Sequence, residues 1–268
     1  MTWESVQRQA VYLVKAPLVY RNWLRMLFIN YSEQPRVELR LRDGTTFTVR
    51  PRTTDRSTLN EMVVTRPYEA DSTGTISASD VVVDIGAHIG TFTVGAAKRA
   101  TRGRVFAIEP VPENFDLLQE NVRANRLENV IAIHAAVAGT SGSGWLTGEG
   151  TAATILEVPG QQGRQVPLIS IARLMSDYGL DRIDLLKMDC EGAEYDICES
   201  GEPAVFERIS RIVAECHPTS ERKNAATLKT RLTGLGFDVS VTPEGSDGLS
   251  LLFAKRAPRS VARTAPAI

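Results

Sequence analysis

The chain has 268 residues, of which 43% are hydrophobic and 24% are charged, and its formal net charge is −1. This length is sufficient for one α/β domain with a large core. The near-neutral charge argues against a protein that attracts nucleic acid by bulk electrostatics. The three cysteines match neither a zinc-site spacing nor a disulfide framework. They therefore favour a reducing, cytoplasmic location.

Residues 3–30 mix apolar and aromatic side chains with basic ones. This pattern predicts one or two amphipathic helices, interrupted near Pro17. The apolar run 10–20 is too short to span a membrane. We expect these helices to pack on the core as a cap, and weak contact with a membrane surface or a partner is the alternative.

A β-hairpin is predicted next in the chain. The runs 37–41 and 47–49 alternate between apolar and polar residues, and an Asp-Gly pair lies between them. A short helix is expected to follow, and three of its residues are predicted to be buried: Leu59, Met62 and Val63.

From residue 80 onward, apolar runs alternate with amphipathic segments. This order predicts an α/β fold with a mostly parallel sheet, and the two closing runs predict an antiparallel strand pair at its edge. The predicted strands lie at 81–84, 104–109, 130–135, 183–189, 209–215, 237–241 and 249–254, and the predicted helices at 90–100, 112–125, 192–200 and 221–235.

Two segments depart from this alternation. Residues 139–165 are rich in Gly and Thr around an isolated Trp145, which predicts a surface hairpin or, alternatively, a loop that covers the substrate. The basic, Pro/Ala-rich run from Lys255 to the end of the sequence is expected to be disordered. The predicted organisation is a cap over 1–70, a catalytic domain over 71–256 and a tail over 257–268.

The most informative motif is the glycine loop after the first strand of this domain. It reads Asp-x-Gly-x-x-x-Gly, from Asp84 through Gly86 to Gly90, and differs from the Gly-x-Gly-x-x-Gly of dinucleotide-binding loops. We expect Asp84 to meet the ammonium of S-adenosylmethionine, directly or through water, Gly86 to let the backbone approach that ligand, and Gly90 to let the next helix pack on the sheet.

A second acidic residue, Glu109, ends the next strand, nineteen residues beyond Gly90. A carboxylate at that position can hold both ribose hydroxyls of a nucleoside. The predicted cofactor is therefore S-adenosylmethionine, and the remaining residues predicted to contact it are Ala87, His88, Pro110 and Ala135.

A charged run follows the strand 183–189. Lys187, Asp189 and Glu191 are clustered at the carboxyl end of this strand, where open α/β sheets bind their ligands. Glu191 and the nearby Glu194 have a second interpretation, in which they only favour the start of the following helix electrostatically.

The strand 209–215 ends in Glu215-Cys216-His217. If the two strands are neighbours, this group meets Asp189 and Glu191 at one rim. We predict that His217 is the general base, that Asp189 and Glu191 position the acceptor, and that Lys187 neutralises the carboxylates. In the alternative scheme, Mg²⁺ is held by Asp189, Glu191 and Glu215 and acidifies the acceptor hydroxyl.

The glycine loop, Glu109-Pro110, the run Leu-Leu-Lys-x-Asp-x-Glu-Gly-x-Glu and the Glu-x-His motif together resemble the FkbM family of methyltransferases. The resemblance covers residues 37–217 and departs from the family at His88, where asparagine is common. It implies a Rossmann-like class I methyltransferase fold and O-methylation of a hydroxyl on a sugar, glycolipid or polyketide. The acceptor would be a small molecule or glycan, and a homo-oligomer stays open.

Two other functions stay open at this point. An NAD(P)-dependent dehydrogenase can use a similar sheet, although the dinucleotide-binding glycine pattern is missing. A cofactor-binding module without catalysis is the other, although such a module has no need of the charged set at Lys187, Asp189, Glu191 and His217.

Overall fold

A computed structural model describes residues 3–147, 154–156, 163–244 and 248–257. It contains a central sheet flanked by helices, a small second sheet and an N-terminal hairpin. The helices are α1 (Trp3–Val19), α2 (Trp23–Leu27), α3 (Asp55–Asn60), α4 (Thr91–Arg99), α5 (Pro112–Ala124), α6 (Ile171–Asp177), α7 (Ala193–Ser200), α8 (Pro203–Phe206) and α9 (Ala225–Gly234). The strands are β1 (Val37–Arg40), β2 (Thr46–Val49), β3 (Val81–Ile85), β4 (Arg104–Ile108), β5 (Val130–Ile133), β6 (Ala136–Val137), β7 (Gly142–Thr147), β8 (Thr154–Leu156), β9 (Arg164–Ile169), β10 (Leu185–Met188), β11 (Arg211–Cys216), β12 (Phe237–Pro243) and β13 (Ser250–Arg256).

The central sheet has seven strands in the order β12-β13-β11-β10-β3-β4-β5. Strands β5, β4, β3, β10 and β11 run parallel, whereas β13 is antiparallel to both β11 and β12. The predicted fold class, a mostly parallel sheet with an antiparallel C-terminal pair, is confirmed. Since the carboxyl ends of parallel strands share one edge, the residues after β3, β4, β10 and β11 meet there.

The N-terminal helices differ from their prediction at one point. Helix α1 continues through Pro17 to Val19, and the break comes at the next three residues. There Tyr20 leaves the helix to form a β-bridge with Leu41 of the hairpin, and its hydroxyl donates to Asn60 at 2.7 Å. A proline in the last turn removes one helical hydrogen bond, and the burial of Ala16 and Tyr20 outweighs that loss.

The N-terminal segment packs on the domain through one apolar cluster. Buried side chains from α1, α2, the hairpin and α3 meet Ile89 and Val94 at the start of α4 and Leu117 of α5. A π-helical turn, Glu61–Thr65, continues from α3. This packing places residues 54–68 over the carboxyl edge of the central sheet.

The segment 139–165 forms strands of a second sheet, in the order β6-β9-β7-β8. Trp145 pairs with Leu156 and Gln165 across it, which agrees with the hairpin interpretation. No described residue of 139–165 lines the cavity at the carboxyl edge of the central sheet, whereas Ala136 and Val137 of β6 do. Residues 148–153 and 157–162 lie outside the described residues, and so does most of the predicted tail.

Several element ends differ from the sequence prediction by a few residues, and two of them have a clear cause. Strand β13 extends to Arg256, beyond the predicted end at 254, because Lys255 pairs with Arg211 of β11. Helix α9 begins at Ala225 and not at 221, because the Asn224 side chain caps its first turn by accepting from the backbone of Ala226 and Thr227.

Candidate active site

A cavity of about 330 Å³ lies at the carboxyl edge of the central sheet. Its floor comes from the turns after β3, β4, β10 and β11, and its cover comes from α3 and the turns after it. The lining contains Gly86, Ala87, His88, Glu109, Pro110, Ala135, Lys187, Asp189, Glu191, Glu215 and His217 from the predicted set, together with Thr58, Glu61, Met62, Tyr68 and Asn114.

Gly86 is needed for contact between two loops of the protein. It has φ +72°, and a Cβ built on it would lie 1.8 Å from the backbone oxygen of Asp189. The close approach is thus between the β3 and β10 loops, whereas the sequence had assigned it to the ligand. Gly90 has φ +85° and faces Leu118 of α5, so the helix that packs closely on it is α5.

Glu109 is buried, with 4% of its surface exposed, at the carboxyl end of β4. Its carboxylate accepts from the backbone N–H of His88 and Val111 at 2.8 and 2.9 Å and from the Asn114 amide at 3.3 Å. Burial raises the pKa of Glu109 to about 7, against the effect of these hydrogen bonds. A carboxylate that can accept hydrogen bonds is therefore held rigidly on the cavity wall.

Asp84 lies away from the cavity lining, unlike the arrangement that the sequence suggested. Its side chain is fully buried, accepts from the Thr93 hydroxyl at 2.5 Å and has an oxygen 3.1 Å from Nζ of Lys187. Direct contact with a ligand's ammonium is not available to this carboxylate, because β3 continues to Ile85 and turns Asp84 toward β10.

Lys187 is the cation of this buried group. Its ammonium also donates to the backbone oxygen of Gly86 at 2.9 Å and lies 3.6 Å from the Asp189 carboxylate. Burial alone would lower the pKa of Lys187, but the charges of Asp84 and Asp189 raise it above its ordinary value. The lysine thus stays charged and fixes the glycine loop to β10.

His88 connects the cofactor loop to the N-terminal segment. Its backbone is left-handed, at φ +51°, and its Nε2 lies 3.4 Å from the Asp55 carboxylate. Asp55 is in turn held by the Arg50 guanidinium at 2.8 and 2.9 Å. Burial lowers the pKa of His88 to about 4, so the imidazole is neutral at pH 7 and serves to position the loop.

Asp189 and Glu215 share one hydrogen-bond donor. The Tyr68 hydroxyl lies 3.2 Å from a carboxylate oxygen of each. Burial and then the negative charge of Asp189 raise the pKa of Glu215 to about 8. The tyrosine comes from the turn after Arg66, so the N-terminal segment contributes a polar group to the centre of the cavity.

His217 stands among carboxylates. Its Nε2 lies 3.6 Å from Glu191 and 3.7 Å from Glu215, and its Nδ1 lies 3.8 Å from Glu194. Burial opposes protonation, but the carboxylates of Glu194, Glu191 and the other acidic residues around it raise the pKa of His217 to about 9. At neutral pH the imidazole is mostly protonated, which differs from the neutral base expected from the sequence.

The two glutamates of the charged run have different environments. Glu194 is fully buried and accepts from the backbone N–H of Gly192 and His217, both at 2.9 Å, so it joins the β10 and β11 loops. Glu191 has a left-handed backbone, at φ +54°, and reaches the cavity. Burial raises the pKa of the Glu191 carboxyl.

Three ligand-type side chains lie close enough for one metal ion. Atoms of Asp189, Glu215 and His217 all lie within 4.8 Å of one another. Glu191, which the sequence placed in the metal set, is not part of this group. The donor set therefore combines two carboxylates with an imidazole, which differs from the oxygen-only set predicted for Mg²⁺.

Sequence reasoning missed the contribution of the N-terminal segment to the site. Tyr68 and Glu61 of this segment line the cavity, and so does Asn114 of α5, yet none of them lies in a recognisable motif. No local sequence pattern marks them. The π-helical turn at Glu61–Thr65, a feature that often occurs at functional sites, is visible only in the structure.

Comparison with known proteins agrees with this geometry. The profile of the Methyltransferase FkbM domain matches residues 84–239. The chain is 28% identical over 167 residues to hexuronic acid methyltransferase AglP of Haloferax volcanii, covering 59% of this chain and 67% of that protein. It is 26% identical over 220 residues to 31-O-demethyl-FK506 methyltransferase FkbM of Streptomyces tacrolimicus, covering 69% and 79%.

A solved structure supports the fold independently. The methyltransferase FkbM of Methylobacillus flagellatus KT superposes with a TM-score of 0.52 at 18% identity, covering 75% of this chain and 53% of that one. The sheet order, the cavity at its carboxyl edge and the match over more than half of the sequence lead to one conclusion: the chain belongs to the FkbM family of S-adenosylmethionine-dependent methyltransferases.

Proposed function

We propose that this methyltransferase acts on a hydroxyl group of a sugar, a glycolipid or a polyketide-type small molecule. One observation carries the proposal: a single cavity has Glu109 on one wall and the Asp189, Glu215 and His217 cluster on another. Such a cavity can hold a nucleoside beside a proton-accepting group.

The residues present fit the family's cofactor. The rigid Glu109 carboxylate suits a pair of ribose hydroxyls, and Gly86, Ala87 and His88 provide a backbone turn that lines the same space. Pro110 and Ala135 supply apolar surface beside it. When bound, S-adenosylmethionine supplies a methyl group on a positively charged sulfur.

The acceptor class is supported by the relatives and by the chemistry of the cluster. One relative is named as a hexuronic acid methyltransferase and another as a methyltransferase of 31-O-demethyl-FK506. In this chain, Asp189 and Glu191 line the cavity, and in the proposal their carboxylates accept hydrogen bonds from the acceptor hydroxyl. Orienting the oxygen for in-line attack is one way in which a protein accelerates a transfer between two bound molecules.

His217 is the proposed proton acceptor in this cluster. Its raised pKa means that about 1% of the imidazole is neutral at pH 7. The proposal therefore predicts that the rate of methyl transfer increases with pH until His217 has lost its proton. Glu191 and Glu215, at 3.6 and 3.7 Å, would stabilise the imidazolium that forms.

The scheme with a divalent cation is the second candidate, because Asp189, Glu215 and His217 form a possible ligand set. The metal-free scheme is favoured because Tyr68 and Lys187 already lie against these carboxylates. Treatment with EDTA separates the two. Full activity supports proton transfer to protein alone, whereas loss of activity that Mg²⁺ or Mn²⁺ restores supports the cation.

Calorimetric titration tests the cofactor assignment against the dehydrogenase alternative. We expect binding of S-adenosylmethionine and no heat from NAD or NADP. Incubation with methyl-labelled S-adenosylmethionine and candidate acceptors then tests the acceptor class. Transfer of label to hydroxylated sugars or macrolides supports the proposal, and label found only on nitrogen acceptors would reject it.

A further inference from the structure

Exposed apolar side chains are concentrated in one short part of the chain. In the described residues, eight large hydrophobic side chains are exposed, and seven of them lie between residues 11 and 31. We call this set the N-terminal apolar surface. Its members are Val11, Leu13, Val14, Leu18, Leu24, Phe28 and Tyr31, with exposed fractions from 38% to 82%.

The spacing of these residues places them on the outer sides of two helices. Val11, Val14 and Leu18 follow one face of α1, whereas Ala16 and Tyr20 of the same region are buried against the domain. The same division holds at α2 and the turn after it. There Leu24, Phe28 and Tyr31 are exposed while Met26 and Ile29 are buried, both within the cluster that fixes the segment to the domain. The segment is thus held to the domain by its buried side, while its opposite side is exposed.

Positive charge accompanies this surface. Residues 11–31 contain Lys15, Arg21 and Arg25, all exposed, and no aspartate or glutamate, whereas the whole chain has a net charge of −1. A cavity of about 520 Å³ borders the surface at Leu18, and its lining has more basic than acidic residues. The basic ones are Arg42, Arg66, Lys98 and Arg99, and the acidic ones are Asp43 and Glu69.

We propose that the N-terminal apolar surface docks peripherally on a membrane that contains anionic lipids. Helices that lie in the plane of a membrane combine an exposed apolar face with Lys and Arg at its borders. In the described part of the chain no helix is both long and apolar enough to cross a bilayer, and the proposal requires none.

A second copy of the chain is a less suitable occupant. A symmetric dimer would place the same patch against itself, so Lys15, Arg21 and Arg25 would face their own copies without an acidic residue from this segment between them. The centres of protein interfaces are also depleted of lysine. An anionic bilayer accepts both the apolar side chains and the charges around them.

Co-sedimentation with vesicles tests the proposal on the full chain. The probes are vesicles of phosphatidylcholine alone and of phosphatidylcholine mixed with phosphatidylglycerol. We expect binding to the mixed vesicles, weaker binding to the neutral ones, and a decrease at high salt. A wild-type protein that stays in the supernatant with both vesicles would overturn the proposal.

Matched variants locate the contact. Because each basic residue near an anionic surface contributes about fivefold in partitioning, Lys15→Glu with Arg25→Glu should lower binding by at least about tenfold. The control is Lys229→Glu, which also replaces a basic residue by an acidic one but at an exposed site on α9. Vesicle binding of this variant should stay within about twofold of the wild type. Phe28→Asp should also lower binding, and Phe28→Trp should retain it, because tryptophan suits the membrane interface.

Two further measurements keep these outcomes interpretable. Each variant should unfold at the wild-type denaturant concentration and bind S-adenosylmethionine with wild-type affinity, because all the substituted side chains are exposed and lie outside the cavity. Sedimentation velocity without lipid tests the dimer. Wild-type dimers that Phe28→Asp converts to monomers, together with no vesicle binding, would assign the surface to a second copy and reject the membrane.

Discussion

Lys187 and Asp84 face each other on adjacent parallel strands in the middle of the sheet, with Nζ 3.1 Å from a carboxylate oxygen. Both side chains are nearly or fully buried. Two charges removed from water in this way stabilise the fold only as a pair, because either one alone would carry an uncompensated desolvation cost. The pair thus supports the floor of the cavity.

The first prediction concerns this pair. Lys187→Met should lower the free energy of unfolding by about 3–5 kcal/mol, because it leaves the Asp84 carboxylate buried without its cation. Lys187→Met combined with Asp84→Asn should cost less than the sum of the single changes. Denaturation in urea measures all three. Arg173→Met, which breaks the exposed pair with Asp177, is the control and should leave stability close to that of the wild type. Strict additivity of the buried changes would contradict this account.

Glu109 is predicted to determine cofactor affinity. Glu109→Ala should weaken binding of S-adenosylmethionine by about 1.5–3 kcal/mol, the size of a lost charge-assisted hydrogen bond. Isothermal titration calorimetry measures the effect. Glu113→Ala provides the control, because Glu113 is exposed and pairs with Arg164 outside the cavity. Wild-type affinity in Glu109→Ala would show that the cofactor assignment is wrong.

Substitution of Gly86 should disturb the contact between two loops before it disturbs the ligand. Gly86→Ala places a Cβ 1.8 Å from the Asp189 carbonyl and requires a left-handed backbone, so we expect lower stability together with weaker cofactor binding. Gly95→Ala in α4 has nothing within 4 Å of its new Cβ and should stabilise the protein by about 0.5–1 kcal/mol. Thermal unfolding of the two variants compares these effects, and a fully stable Gly86→Ala protein would refute the steric argument.

His217 is predicted to control the dependence of turnover on pH. With a pKa near 9, the neutral imidazole increases about tenfold per pH unit below that value, and turnover should rise between pH 6 and 9. His217→Ala should reduce turnover by about 100-fold or more and remove this rise. His134→Ala is the control, since His134 is exposed and lies outside the cavity lining. Cofactor affinity should stay within a few-fold in both, and normal turnover in His217→Ala would reject the base assignment.

Two buried groups should make opposite contributions to stability as pH changes. Burial lowers the pKa of His88 to about 4, so the unfolded chain binds a proton that the folded one does not, and stability falls as pH decreases from about 6.5 toward 4. Burial raises the pKa of Glu109 to about 7, so the folded chain binds the extra proton, and stability rises as pH decreases from 7 toward its unfolded value of 4.5.

Urea unfolding at pH 7 and pH 5 separates these contributions. On going from pH 7 to pH 5, the wild type should lose stability relative to His88→Asn. Over the same change, it should gain stability relative to Glu109→Gln. Each shift is limited by the slope of one proton, about 1.4 kcal/mol per pH unit. Differences that do not change with pH would show that neither group is perturbed as described.

The convergence of strand ends could be predicted from the sequence. Asp189, Glu215 and His217 follow two apolar runs that are separated by one helical pattern, and parallel strands place their carboxyl ends together. In the structure, side-chain atoms of these three residues lie within 4.8 Å of one another. Glu109 was predictable for the same reason, since both its strand and its distance from the glycine loop are visible in the sequence.

The direction of individual side chains could not be predicted in the same way. Asp84 was assigned to the ligand because β3 was expected to end there, but the strand continues to Ile85 and the carboxylate turns toward Lys187. The residue at which a strand ends decides whether a side chain lies at the ligand-binding edge or within the sheet. Partners distant in sequence, such as Tyr68 and Asp189, leave no local pattern at all.

The position of β13 has a consequence for how the protein folds during synthesis. This strand comes last among the described elements, yet it lies inside the sheet, between β11 and β12. Until residues 250–256 have left the ribosome, β11 has an unpaired apolar edge, although the cavity residues Asp189 and Glu215 have already been made. Open strand edges associate readily with other chains. While residues 217–249 are being translated, the open edge of β11 is therefore the part of the domain at which we expect association with other chains.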